Sequence, residues 1–160
     1  QEIVANFISG LIILFERPVR VGDTVTIGNL TGTVSRIHIR ATSMTDGENR
    51  EIIIPNKALI TEKVINWTLT DSITRVTLKV SVRYGTDTLR AQMAILEAVK
   101  ATPQVLDTPA PSVFFIGFGA SALEFEVRAF ILKLAHRAAV INDLNIAIER
   151  ALREQEIAMS

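Results

Sequence analysis

The hydrophobic and polar positions divide the chain into three stretches. Residues 1–17 carry a nearly unbroken apolar run, Ile3-Val4-Ala5 and then Phe7-Ile8-Ser9-Gly10-Leu11-Ile12-Ile13-Leu14-Phe15, which predicts a helix. Pro18 ends it, because the residue before a proline is driven out of the α region. The run is too apolar for an ordinary surface helix and too short to cross a bilayer, which takes about 20 apolar residues. Ala5 and Ser9 stand four apart, as do Asn6 and Gly10, so each pair shares a helix face. Small residues at that spacing admit a close neighbour. Phe7, Leu11, Leu14 and Phe15 occupy the opposite side. Two readings stay open on this pattern: a helix whose small ridge meets a neighbour while its broad side faces lipid, or a helix buried against its own domain.

Residues 18–70 alternate with period two in short runs. Val25 and Ile27 form one strand. Val34, Ile37 and Ile39 form a second over Gly32–Arg40, with a shift near Arg36, and place His38 within it. Ala41–Thr45 continues or follows it, Asp46-Gly47 signals a turn, and Ile52-Ile53-Ile54 makes a further strand stopped by Pro55. Asn56–Ile60 reads as a short helical turn, and Val64–Trp67 as a last strand. Many short strands joined by tight glycine turns predict a small β-barrel of SH3-like or Sm-like type.

Residues 71–160 alternate strictly at Val76, Leu78, Val80 and Val82, then switch to helical spacing at Leu89, Met93, Leu96 and Val99, with Thr86 or Asp87 as the cap. Val113–Gly119 and Ala122–Phe130 predict a hairpin, and Val140, Leu144, Ile148 and Leu152 a second helix. The order β-α-β-β-α is a ferredoxin-like α+β pattern lacking its last strand. Glu156–Ser160 reads as the beginning of that strand.

Charge and composition remove alternatives. Lys plus Arg and Asp plus Glu each number 17, so the net charge is zero. That argues against nucleic-acid binding, which calls for a basic excess, and Trp67 is the only large indole platform. There is no cysteine. The start of the chain lacks the basic flank and cleavage site of a signal peptide, and its opening at Gln1 suggests a fragment. The search for chemistry is negative. His38 and His136 lie in different segments, and no set of three or four ligands converges for zinc. Asp46-Gly47-Glu48-Asn49 lacks calcium-loop spacing and reads as a charged hairpin tip. Glu124 and Glu126 share a solvated sheet face. Gly117–Ser121 has neither the lysine nor the spacing of a phosphate loop. We expect no enzyme, no cofactor and no metal.

One ordered set of motifs resembles a known family. Asn6 through Gly10 is followed by Phe15-Glu16-Arg17-Pro18-Val19-Arg20-Val21-Gly22-Asp23, Gly32-Thr33-Val34, Thr42 through Gly47, Ile53-Ile54-Pro55-Asn56-Lys57, Asn66 and Tyr84-Gly85-Thr86-Asp87. In that order they resemble the small-conductance mechanosensitive ion channels of bacteria. Thr70-Asp71-Ser72 and the run Phe114-Phe115 to Phe118-Gly119-Ala120-Ser121 lean toward the larger, potassium-linked members.

The resemblance implies a homo-oligomer, a heptamer, in the bacterial inner membrane, multi-pass in its full length, passing ions and small solutes under membrane tension during osmotic stress. It implies three parts: residues 1–17 as the second half of a broken pore helix, 18–70 as an Sm-like β domain, and 71–160 as an α/β domain of a cytoplasmic cage. It assigns helix packing and gating to Ala5, Ser9 and Gly10, the helix-to-barrel junction to Arg17, Pro18, Gly22 and Asp23, and a structural motif to Pro55 and Asn56. Glu2 stands where smaller members tend to have a glycine hinge. The competing reading is a non-channel oligomeric scaffold of the same two domains, with a nucleic-acid-binding Sm-like module behind it.

Overall fold

Pro18 and Arg17 settle where the first helix stops. The computed structural model describes residues 1–160, and in it α1 runs Glu2–Glu16. Arg17 then takes a left-handed conformation (φ 54°), and its N–H closes on the carbonyl of Ile13 at 2.9 Å. The chain divides into two compact units, Gln1–Ser72 and Ile73–Ser160.

In the first unit, α1 is followed by β1 (Thr24–Ile27), β2 (Leu30–Ile37), β3 (Ala41–Asp46), β4 (Glu51–Pro55), α2 (Asn56–Thr61) and β5 (Val64–Asn66). The strands form one antiparallel sheet in the order β4-β3-β2-β1-β5. Ala41–Asp46 is thus a strand of its own, between β2 and β4. The register shift expected near Arg36 is a bulge between Val34 and Arg36.

Two expectations are corrected here. The sheet does not close into a barrel: β4 and β5 are its two ends and do not pair. The apolar face that closure would have covered is covered by helices instead. Ile13 of α1 and Leu59 of α2 join Val19, Val25, Ile27, Val34, Met44 and Ile54 in a single core. Alternation reports which face of a strand is buried, not which edges meet, and α1 supplies the wall that barrel closure was expected to provide. The second correction concerns His38, which lies outside β2. Its N–H bonds to the carbonyl of Ala41, and residues 38–40 form the connection to β3.

The second unit runs β6 (Thr74–Arg83), α3 (Thr88–Ala101), β7 (Ser112–Phe118), β8 (Ala122–Ile131), a 3₁₀ turn (Leu134–His136) and α4 (Arg137–Glu154). Asp87 caps α3 through the N–H of Arg90 at 3.2 Å. The sheet order is β6-β8-β7. Its inward rows, Val76, Val80 and Val82 with Leu123, Phe125, Val127, Ala129 and Ile131, meet Ala91, Ile95 and Val99 of α3 and Val140, Leu144, Ile148 and Leu152 of α4. The chain end runs along the open edge of β6: the Arg83 N–H bonds to Ala158, and Val82 bridges Met159 in antiparallel sense.

Candidate functional site: the seam between the first helix and the sheet

One face of α1 is sealed against the rest of its unit. Ser9, Gly10 and Ile13 are buried, Ile13 to 1% exposure. Gly10 marks the closest approach. A Cβ built there would stand 1.9 Å from the carbonyl oxygen of Ile39 and 2.9 Å from the side-chain nitrogen of Asn56. Neither backbone nor a fully buried amide can step aside, so only glycine fits. One turn earlier, Asn6 reaches across: its Oδ1 accepts from the N–H of Lys57 at 2.9 Å, and its Nδ2 donates to the Glu2 carbonyl at 2.9 Å. One amide in the first turn of α2, that of Lys57, which has no partner within its own helix, is thereby satisfied from α1. Ala5, expected on the same ridge, is only half-buried.

Asn56 is the hub on the other side. It is fully buried, with 0% exposure. Its Oδ1 accepts from the Thr42 hydroxyl at 2.7 Å, its Nδ2 donates to the His38 carbonyl at 2.8 Å, and its backbone N–H donates to Arg40 at 3.0 Å. One residue, through its side chain and its backbone N–H, thus ties the 38–40 connection and β3 to the start of α2. Pro55 precedes it as the last residue of β4, paired with Ala41. Proline restrains the backbone at the strand-to-helix change.

A second polar cluster holds the chain as it leaves α1. Asp23 is buried, and its carboxylate accepts from the N–H of Arg20 (3.0 Å), the Asn66 amide (2.9 Å) and the Thr68 hydroxyl (2.9 Å). Asn66 also donates to the Pro18 carbonyl at 2.9 Å. The Arg20 guanidinium lies 3.6 Å from Asp23 and donates to the Leu69 carbonyl at 2.7 Å. Gly22 adopts a φ of 95°, open to glycine, while its N–H bonds to Val34. Pro18, Gly22 and Asp23 are therefore gathered at one corner with Asn66 and Thr68. Arg17 contributes its backbone conformation.

Burial alone would raise the pKa of Asp23. The hydrogen bonds from Asn66, Thr68 and Arg20, with the charge of Arg20, outweigh it and hold the carboxyl below its ordinary value of 3.8. A depressed carboxylate stabilises the fold above its unfolded pKa, and that contribution disappears as pH falls through the folded value. The first unit is therefore expected to lose stability below about pH 4, and Asp23→Asn to remove that part of the pH dependence while costing about 2 kcal/mol at neutral pH. Thermal unfolding between pH 2 and 7, with and without the substitution, measures both.

The opposite side of α1 is bare. Ile3, Val4, Phe7, Ile8, Leu11, Leu14 and Phe15 are exposed, Phe15 to 84%. No helix of the chain is long and apolar enough to cross a membrane. Elsewhere Asp46, His136 and Glu124 are engaged in ordinary structure. Asp46 takes the N–H groups of Glu48 and Arg50 and the Arg50 guanidinium. The His136 ring meets Gln104 at 2.6 Å, and Glu124 accepts from Ser81 at 2.7 Å.

Sequence reasoning missed Glu2 and Lys57 as a pair, the reach of Asn6 to Lys57, and Thr68. Asn6 had a visible signal, a lone amide within an apolar run. Thr68 had none.

Comparison with known proteins places this architecture. The mechanosensitive ion channel β-domain model matches residues 2–69, and the model for the C-terminal region of the mechanosensitive channel MscS matches residues 76–159. The chain belongs to the MscS family of mechanosensitive ion channels. It is 51% identical over 157 residues to the mechanosensitive channel MscK of Escherichia coli (strain K12), covering 98% of this chain and 14% of that protein. It is 46% identical over 145 residues to the miniconductance mechanosensitive channel MscM of the same organism, covering 91% and 13%. The chain thus spans about one-seventh of the length of these curated relatives. The closed-state crystal structure of Helicobacter pylori MscS shares the fold, with a TM-score of 0.90 at 22% identity over 98% of this chain and 62% of that one. The cryo-EM structure of Arabidopsis thaliana MSL1 does so at 0.79 and 18%, over 100% and 59%.

Proposed function

We propose that this chain is the pore-proximal helix and cytoplasmic cage region of a channel gated by membrane tension, which passes ions and small solutes on osmotic downshock. The observation that carries the reading is the division of α1. One face is locked to the sheet through Asn6, Ser9, Gly10 and Ile13, and the other presents seven large apolar side chains to its surroundings. A helix so built links a bilayer to a folded unit. Lateral pull on the greasy face reaches the sheet through the seam, and gating is a two-state equilibrium biased by the bilayer.

In this reading residues 1–17 are the second half of a broken pore helix, 18–70 the β domain and 71–160 the α/β domain. Ala5, Ser9 and Gly10 set helix packing; Arg17, Pro18, Gly22 and Asp23 form the exit corner; Pro55 and Asn56 anchor the receiving surface. The assembly is a homo-heptamer in the bacterial inner membrane, closed by a head-to-tail contact between copies. Within the family, the finer reading is the larger, potassium-linked group, and its ground is Thr70-Asp71-Ser72 with the run from Phe114 to Ser121.

The test is patch recording of the full-length protein in giant spheroplasts or liposomes, with the mass of the detergent-solubilised particle. Tension-activated currents and a sevenfold mass are expected. An assembled particle without such currents would overturn the reading in favour of the oligomeric scaffold, and a monomeric particle would overturn both.

A further inference from the structure

The contacts along the sealed face of α1 are graded. Glu2, Asn6, Gly10 and Ile13 follow one another on a single face. Ile13 lies in the core, Gly10 rests on the Ile39 backbone, and Asn6 makes a half-buried hydrogen bond to the Lys57 N–H. Glu2 makes an ion pair in water: its Oε1 stands 3.0 Å from Lys57 Nζ, with side chains 74% and 43% exposed. Lys57 is therefore held twice by consecutive turns of α1, through its backbone by Asn6 and through its ammonium by Glu2. Glu2 is also tied inward, since its carbonyl accepts from Asn6 Nδ2.

We infer that Glu2 and Lys57 form a charged clasp at the weak end of the seam, and that it is the first contact to part when α1 lifts from its unit. An exposed ion pair holds weakly because water and salt screen it. A buried apolar residue and a backbone-tight glycine hold firmly because separation opens a void or exposes apolar surface. α1 therefore peels from Glu2 toward Ile13 and pivots at Arg17-Pro18, where its last turn is closed by the left-handed cap. That the clasp tunes opening by tension rests on the channel reading above; that it holds the first turn of α1 does not.

Charge exchange in the full-length protein separates the two. Glu2→Lys and Lys57→Glu each break the pair, and the double exchange restores it with reversed sign. Each substitution also changes a charge in the first turn of its helix, and the double-mutant cycle cancels that background. Hydrogen exchange of amides 5–8 is expected to quicken about two- to fivefold in each single variant, the range of a surface pair, and to return toward wild type in the double. The half-activation tension is expected to move in the same direction in both singles and to return in the double. Additive single effects, or no change in exchange, overturn the clasp. A restored exchange cycle with an unmoved threshold overturns its part in gating alone. Wild-type protein that passes no tension-activated current sinks the channel reading, while the exchange cycle still decides the clasp.

Discussion

Replacing Gly10 by alanine is expected to destabilise the first unit by about 2 kcal/mol, and by valine more. Two effects of opposite sign compete. An alanine inside a helix is favoured over glycine by about 1 kcal/mol. Against it stands a Cβ placed 1.9 Å from the Ile39 carbonyl oxygen, far inside van der Waals contact, with the Asn56 amide 2.9 Å away on the same side. Flexible side chains can yield to such a clash, but a carbonyl of the 38–40 connection, held by Asn56, cannot. The helix must move out, and Ile13 one turn on would leave a core in which it is 1% exposed. Packing therefore outweighs propensity. Urea unfolding followed by Trp67, the only tryptophan and a residue of the first unit, measures the loss as a lower midpoint at unchanged slope. In the full-length protein the same substitution is expected to shift the tension threshold. A midpoint equal to or above wild type would show that the contact is looser than the structure has it.

Asn56→Ala is expected to cost about 3 kcal/mol, because it strands partners as well as removing bonds. The Thr42 hydroxyl and the His38 carbonyl lose their partners together, and an unsatisfied buried polar group costs roughly 1–3 kcal/mol. Asn56→Asp preserves the shape but loses the donor and sets a carboxylate against the His38 carbonyl, so it is expected to be as damaging at neutral pH. Thr42→Val removes one end of the same bond, and its cost should combine with Asn56→Ala to less than the sum. The unfolding midpoints of the three variants and the double test this. Simple additivity would mean that Thr42 and Asn56 do not act as a pair.

Much of this was legible in the sequence, in places that physics makes clear. Alternation at Val76, Leu78, Val80 and Val82 marks a strand because one face of a sheet must be buried, and Pro18 stops a helix whatever surrounds it. Gly10 stood out through its spacing from Asn6. The misleading step was barrel closure. Val25, Ile27, Val34 and Ile54 announce an apolar sheet face equally well whether the sheet closes over it or a helix covers it, and Ile13 does the covering. His38 read as a strand residue because its neighbours alternate, while its carbonyl answers to an asparagine 18 positions further on. Such long-range polar partners leave no periodic trace. The Asp23 corner shows the same limit: Gly22-Asp23 is a recognisable turn, but Asn66 and Thr68 arrive from the far end of the unit.

The two sides of α1 differ in how freely their residues can be exchanged over generations. At Gly10 the seam admits no added atom, and at Asn6 and Asn56 it specifies an atom by type and position. The outer side specifies only oiliness: isoleucine, leucine, phenylalanine and valine already alternate there. Drift along this helix is therefore expected to be lopsided, with identity locked on one side, mere character kept on the other, and the boundary between them running through neighbours in the chain.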